Sequence, residues 1–337
     1  MAAAGTRERS GAPALAAAST SSIGTCNGFL CLHESWKVGG VSFSAITVIN
    51  PITGEKQELP PVPVSCLWEQ FRNHGKYTFG YHPTTGQYKV VHIPWAPRQE
   101  VDPLLVFTLG DASWRKVPVV TTTTLKASYD RLSGAVTVDG WTYWLTAFTD
   151  RVMALDLEHE RVAAISLPQQ GTWPASIPGG PVWQLTSVHG RLGIVVTDCT
   201  IEAKEIWVLE GRGDQQPRWS KWYNLILARR WPERWILAPH LMMHGAYILS
   251  QSWDILPQLD GFSFSSYHRL GRRHLYRHNV DCKDGQLVPL SAAELVMSEK
   301  ESNGKLVTFE YVETLEPLPR FIDDGGGDNG GCGSMMS

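Results

Sequence analysis

Along this chain, apolar runs of four to eight residues bounded by Gly, Pro, Asn or Asp pair across short turns, and the pairs come two at a time at intervals of about 50 to 57 residues. FLCL (29–32) follows Cys26-Asn27-Gly28, and ITVIN (46–50) turns through Pro51-Ile52-Thr53-Gly54 into KQELP. YTFGYH (77–82) turns through Pro83-Thr84-Thr85-Gly86 into YKVVHI, and LLVFTLG (104–110) turns at Asp111 into SWRKV. AVTVDG (135–140) meets WTYWLT, RVMALDL (151–157) meets RVAAISLP, WQLTSVHG (183–190) meets RLGIVVTD, and EIWVLEG (205–211) returns as RWSKWYNL. The last pairs are LMMHG (241–245) with AYILS, and HLYRHNV (274–280) with QLVPL. The runs are rich in β-branched and aromatic residues, and Asn-Gly, Asp-Gly and Pro-x-Thr-Gly supply the backbone angles of tight turns. Four strands per repeat of this length predict an all-β fold, a β-propeller of five to six four-stranded, kelch-like blades. A pair of stacked β-sandwiches fits the same periodicity, because a repeat length does not prove radial closure.

The ends depart from the pattern. Residues 1–22 are Ala, Ser, Thr and Gly with little charge, and 323–337 are Gly-rich, so both are expected to be disordered around one folded domain over 23–322. Before the tail, SAAELVMSEKES (291–302) reads as one short helix and KLVTFEYVETL (305–315) as a final strand returning to the first repeat.

Composition narrows the function. With 30 basic and 33 acidic residues the chain has a formal charge of -3, which argues against a general nucleic-acid binder. No apolar run reaches the roughly 18 residues of a membrane helix. The six cysteines form no C-x-x-C pair, and no Asn-x-Ser/Thr acceptor occurs, so reduced thiols in the cytoplasm or nucleus are expected. Signatures of catalysis are also missing: there is no G-x-x-x-x-G-K-[ST], G-x-S-x-G or H-E-x-x-H. Gly325-x-Gly327-x-x-Gly330 has no room for the helix a dinucleotide site needs. His240 with His244, and His274 with His278, are four apart but in strand-like runs, where that spacing spans about 13 Å and cannot serve one ion. The basic cluster Arg269, Arg272, Arg273 and Arg277 reads as a solvated loop. A non-enzyme without cofactor or metal is the expectation.

Several steps together carry a resemblance. CNGFLCL, INPITGEKQELP, FGYHPTTGQYKVV, VFTLGDASWRKV, DGWTYWLT, MALDLEHERVAAISLP, HGRLGIVV, EIWVLEG with RWSKWYNL, and FEYVETLEPL resemble, in order, the F-box-associated domain of plant F-box proteins. The similarity runs from Cys26 to Leu318, with His82 standing where the family pattern has Asp before Pro83. The resemblance implies a substrate-binding domain that holds a target protein for ubiquitination. Family members carry ahead of it an F-box that docks on the Skp adaptor of a cullin-RING ubiquitin ligase. Residues 1–25 lack the Leu-Pro-x-(Asp/Glu) opening and the helical apolar pattern, so the F-box is expected to be missing, and Skp binding to require an F-box supplied from elsewhere. A small-molecule or glycan binder, or an enzyme with a dispersed site, would use the same scaffold.

In an antiparallel meander, successive connections fall at alternate ends, so all the tight turns share one rim. The long connections 33–45, 61–76, 94–103, 118–133, 169–182, 198–204, 226–239 and 251–273 share the other. Half of the 14 tryptophans lie there, accompanied by arginines. Trp and Arg dominate protein interfaces, and loops on a rigid scaffold carry binding. The expected partner-binding residues are Trp68, Arg72, Trp95, Arg98, Trp173, Arg230, Trp231, Arg234, Trp235 and Trp253, with Trp36 on the same rim.

Overall fold

A computed structural model describes residues 19–38, 41–63, 75–94, 104–117, 134–146, 151–168, 182–198, 203–211, 217–226, 241–244, 247–253, 272–283, 286–289, 294–300 and 313–319. These residues are strands and turns. The first sheet is β1 (Ser19–Cys26), β2 (Phe29–Val38), β3 (Val41–Ile49) and β4 (Lys56–Glu58), and the second is β5 (Gly75–His82), β6 (Gln87–Pro94), β7 (Leu105–Thr108) and β8 (Arg115–Lys116). The third is β9 (Ala135–Val138), β10 (Trp141–Leu145), β11 (Arg151–Asp156) and β12 (Val162–Ser166). Each is an antiparallel meander in chain order. A fourth meander, β13 (Val182–Val188), β14 (Arg191–Asp198), β15 (Ala203–Glu210) and β16 (Arg218–Ile226), continues into a larger sheet. There β16 pairs in parallel with β20 (Gln286–Pro289), followed by β19 (Arg272–Lys283), β18 (Tyr247–Trp253) and β17 (Leu241–His244), while β21 (Glu294–Lys300) pairs with β19.

First strands of successive meanders lie against each other: β1 on β5, β5 on β9, β9 on β13, and β13 on β17. Sheets arranged this way bury both faces, so their middle strands must be apolar on both sides. Tyr88 and Val90 of β6 enter one core with Phe29, Cys31, Val48 and Phe107, while Val91 and Ile93 enter a second with Val106, Trp144, Met153 and Leu155. The alternation repeats in the third sheet, where Tyr143, Leu145, Val152 and Ala154 face Leu185, Ile194 and Val196. Trp114 and Trp144 are buried in these cores and Trp141, Trp183, Trp207 and Trp219 pack at the margin of the third, as strand tryptophans are expected to do. Two of them also tie sheets together through their indole N–H: Trp114 donates to Pro60 O at 2.8 Å and Trp219 to Ser166 O at 2.7 Å.

The turns follow the sequence cues. Asn27-Gly28, Asp139-Gly140 and His189-Gly190 each place two successive residues at positive φ, the geometry whose twist matches an antiparallel pair. A different demand falls on Gly80 of β5, where an added Cβ would lie 2.1 Å from Thr137 Cγ2 of β9. The first strands meet backbone to side chain at this point. Gly80→Ala is therefore expected to lower stability by about 1–3 kcal/mol through overpacking, read as a lower urea midpoint at unchanged slope.

Three sequence expectations need correction. The segment 291–302, read as a helix, contains β21, whose residues Arg272↔Lys300 through Arg277↔Glu294 pair along β19. Helix propensity is a weak prior, and the free side of a twelve-residue strand outweighs it. Residues 19–22, placed in the disordered segment, belong to β1, which pairs Ser19↔Ser35 to Cys26↔Phe29. Ser and Thr carry no apolar pattern there, yet the ladder hydrogen bonds need none. The connection 33–45 is a hairpin, since β2 and β3 pair from Leu30↔Ile49 to Val38↔Val41 with only Gly39-Gly40 between. That Gly-Gly dipeptide is a two-residue turn signal inside a segment read as a loop. Of the expected final strand, 305–312 lie outside the described residues and 313–315 pair in no ladder.

Candidate protein-binding rim

At the tight-turn rim, polar side chains are committed to the fold. Asn50 Oδ1 accepts from the N–H groups of Ile52 (3.0 Å) and Thr53 (3.3 Å), and Asp156 Oδ1 accepts from those of Glu158 (2.8 Å) and His159 (3.3 Å). His82 does the same with a ring nitrogen: Nδ1 accepts from Thr85 N–H at 3.2 Å, which leaves the proton on Nε2, 3.5 Å from Glu158 Oε2. A histidine can thus replace the aspartate of the family pattern because it offers an acceptor at the same step of the turn.

The same rim carries a clamp between the second and third sheets. Lys89 of β6, 3% exposed, donates to the Leu157 carbonyl and to Glu160 Oε1 at 2.8 Å. Arg115 of β8 donates to Glu160 Oε1 at 2.6 Å, to Thr108 Oγ1 at 2.7 Å, and to Asp111. Burial raises the Glu160 pKa, but the hydrogen bonds and charges of Arg115 and Lys89 outweigh it and hold the carboxyl below its ordinary 4.5. Burial likewise holds His33 of β2 below its ordinary 6.5. Both groups bind more protons unfolded than folded, so acid destabilises through each. The His33 contribution is lost as pH falls below 6.5, and that of Glu160, fully present above 4.5, is lost as pH falls through its lowered folded value. The thermal midpoint is expected to drop from pH 7 to pH 4, and Glu160→Gln to flatten only the part below 4.5.

The opposite rim carries the tip of the β2–β3 hairpin, where apolar side chains are exposed. At the tip of the β2–β3 hairpin the rings of Trp36 and Phe43 stack at 6.0 Å, Phe43 being 45% and Val38 37% exposed. One layer below, His33 stacks on Tyr77 of β5 at 5.2 Å, and Tyr77 packs on His92 of β6 at 4.9 Å. Burial pushes the Tyr77 hydroxyl up to about 12. In the last sheet Trp253 pairs in register with Arg273, which pairs in turn with Glu299, where β18 and β19 meet the connection 254–271. Trp253 thus closes a strand instead of lying in the loop 251–273. Trp68, Arg72, Trp95, Arg98, Trp173, Arg230, Trp231, Arg234 and Trp235 fall on connections outside the described residues. The Trp36–Phe43 pair is legible only once the Gly-Gly turn is recognised, because the register then sets the two rings opposite each other. His274 and His278 lie along β19, so the strand spacing that excludes a shared ion applies to them.

Four-stranded meanders packed first strand to first strand, with tight turns repeating on one rim, define a repeated β scaffold of the propeller class. Residues 10–245 match the family model of the F-box associated beta propeller domain, and the chain belongs to that family. An F-box protein of Arabidopsis thaliana is 25% identical over 243 residues, which cover 68% of this chain and 46% of that protein. Two putative F-box proteins of the same plant are 26% and 23% identical, over 54% and 59% of this chain and 44% and 47% of their own lengths. The chain therefore spans about half the length of these relatives. An aldose sugar dehydrogenase structure from Streptomyces coelicolor overlaps 84% of this chain and 86% of its own at 13% identity and a TM-score of 0.34, too weak a likeness to bear on fold or activity.

Proposed function

We propose that this protein is a non-catalytic recognition module that binds a target protein on its long-connection rim. The observation that carries the reading is the contrast between rims. Asn50, His82, Asp156, Lys89, Arg115 and Glu160 spend their polar groups on their own turns and on the neighbouring sheet. At the other rim Phe43 and Val38 are exposed beside Trp36, and the connections supply tryptophans and arginines. Membership in the F-box associated family supports a protein as the ligand. By analogy with that family, the bound protein is a substrate for ubiquitination, and its delivery requires an F-box docked on the Skp adaptor; we place this activity in the cytoplasm or nucleus.

Affinity purification from plant cells followed by mass spectrometry tests the reading. A reproducible partner protein whose recovery falls when Trp36 and Phe43 are both replaced by alanine is expected. Recovery of the Skp adaptor with it would assign the ligase role, whereas binding to a sugar array with no reproducible protein partner would contradict the proposal.

A further inference from the structure

The segment 313–319 lies against the β3–β4 turn of the first sheet, more than 260 positions earlier in the chain. Asn50, with no exposed surface, donates from Nδ2 to the carbonyls of Thr314 (3.2 Å) and Glu316 (2.8 Å). Its Oδ1 is occupied by Ile52 and Thr53, so the amide is used on both sides and its orientation is determined. Glu55, in the same turn, accepts the Leu318 N–H on Oε2 at 2.8 Å. Leu318 itself is buried in the core shared by the first two sheets, the core of Phe29, Leu59 and Trp114.

The sequence explains why side chains, not a ladder, hold this segment. Pro317 and Pro319 have no N–H to give, and a residue before proline is held extended, which applies to both Glu316 and Leu318. A stiff Glu-Pro-Leu-Pro stretch loses little entropy when it docks, but it cannot complete a strand pair. The Glu316 N–H donates to Thr314 Oγ1 at 3.2 Å, so the carbonyls and the Leu318 N–H must find other partners, and the 50–55 turn presents an amide and a carboxylate to them. We propose that the 50–55 turn is a receptor for the 313–319 strap, and that the strap is a clasp fastening the C-terminal part of the chain to the first sheet and protecting that sheet from local opening.

Hydrogen exchange on the intact chain tests this. Asn50→Asp keeps the oxygen that caps the turn but turns an oxygen toward the Thr314 and Glu316 carbonyls, so it separates the clasp from the turn. It is expected to speed exchange of the Leu318 amide by at least about tenfold and to lower protection along β2 and β3. Glu55→Ala, a change on the turn surface that leaves Asn50 in place, is expected to accelerate the Leu318 amide as well. It decides the matter if Asn50→Asp fails to fold. Wild-type exchange at Leu318 in Glu55→Ala, or in a folded Asn50→Asp, would overturn the clasp.

Discussion

Replacing Glu160 by alanine is expected to destabilise the protein by about 3–5 kcal/mol, because it strands a buried cation. Lys89 is 3% exposed and faces only the Leu157 carbonyl once the carboxylate is gone. Arg115, 40% exposed on its side chain, can turn to water and to Asp111, so its loss is small. The comparison with Lys89→Met separates the charge from the packing. That change removes the cation, keeps the stem volume and leaves Glu160 with Arg115, so it is expected to cost only about 1–2 kcal/mol, chiefly the unpaired Leu157 carbonyl. For a domain of this size the Glu160→Ala midpoint falls by roughly 5–8 °C. Equal losses in the two variants would mean that the clamp acts by packing and that the buried charge is not what makes Glu160 necessary.

The second large effect is on binding. Replacing Trp231, Arg234 and Trp235 together by alanine is expected to weaken partner capture by at least about a hundredfold, since Trp and Arg at the centre of an interface each cost about 2 kcal/mol or more when truncated. Thermal stability is expected to stay within about 0.5 kcal/mol of wild type. The segment LARRWPERWILAPH (227–240) holds two tryptophans and three arginines in 14 residues, the densest such group on the long connections. Loss of folding instead of capture would make these tryptophans anchors of the scaffold.

Strand pairs, turn types and the four-strand repeat were legible because they rest on local rules: β-branched and aromatic runs bounded by Asn-Gly, Asp-Gly and Pro-x-Thr-Gly turns. What failed depended on tertiary context. Residues 294–300 have helical propensity, but β19 offers them a ladder. Ser19 to Ser22 have no apolar face, but β2 supplies their hydrogen bonds. Neither partner is adjacent in the pattern that propensity reads. The clamp and the clasp were invisible for the same reason. Lys89, Arg115 and Glu160 converge from two sheets, and Asn50 meets Thr314 and Glu316 across most of the chain. Of the expected binding rim, the described residues include the β2–β3 tip, where the register sets Trp36 opposite Phe43.

A comparison of the two rims separates the proposed recognition on one from cohesion of the fold on the other. Dissociation constants for a partner recovered by affinity purification would be measured for three proteins: wild type, Trp231→Ala/Arg234→Ala/Trp235→Ala on the long-connection rim, and Ile52→Ala/Thr84→Ala on the tight-turn rim. Ile52 is a fair control, being an apolar side chain 43% exposed at the turn end of the first sheet. Binding is expected to be lost in the first variant and to stay within about threefold of wild type in the second, as for surface sites away from an interface. Binding lost in the tight-turn variant and kept in the long-connection variant would contradict it.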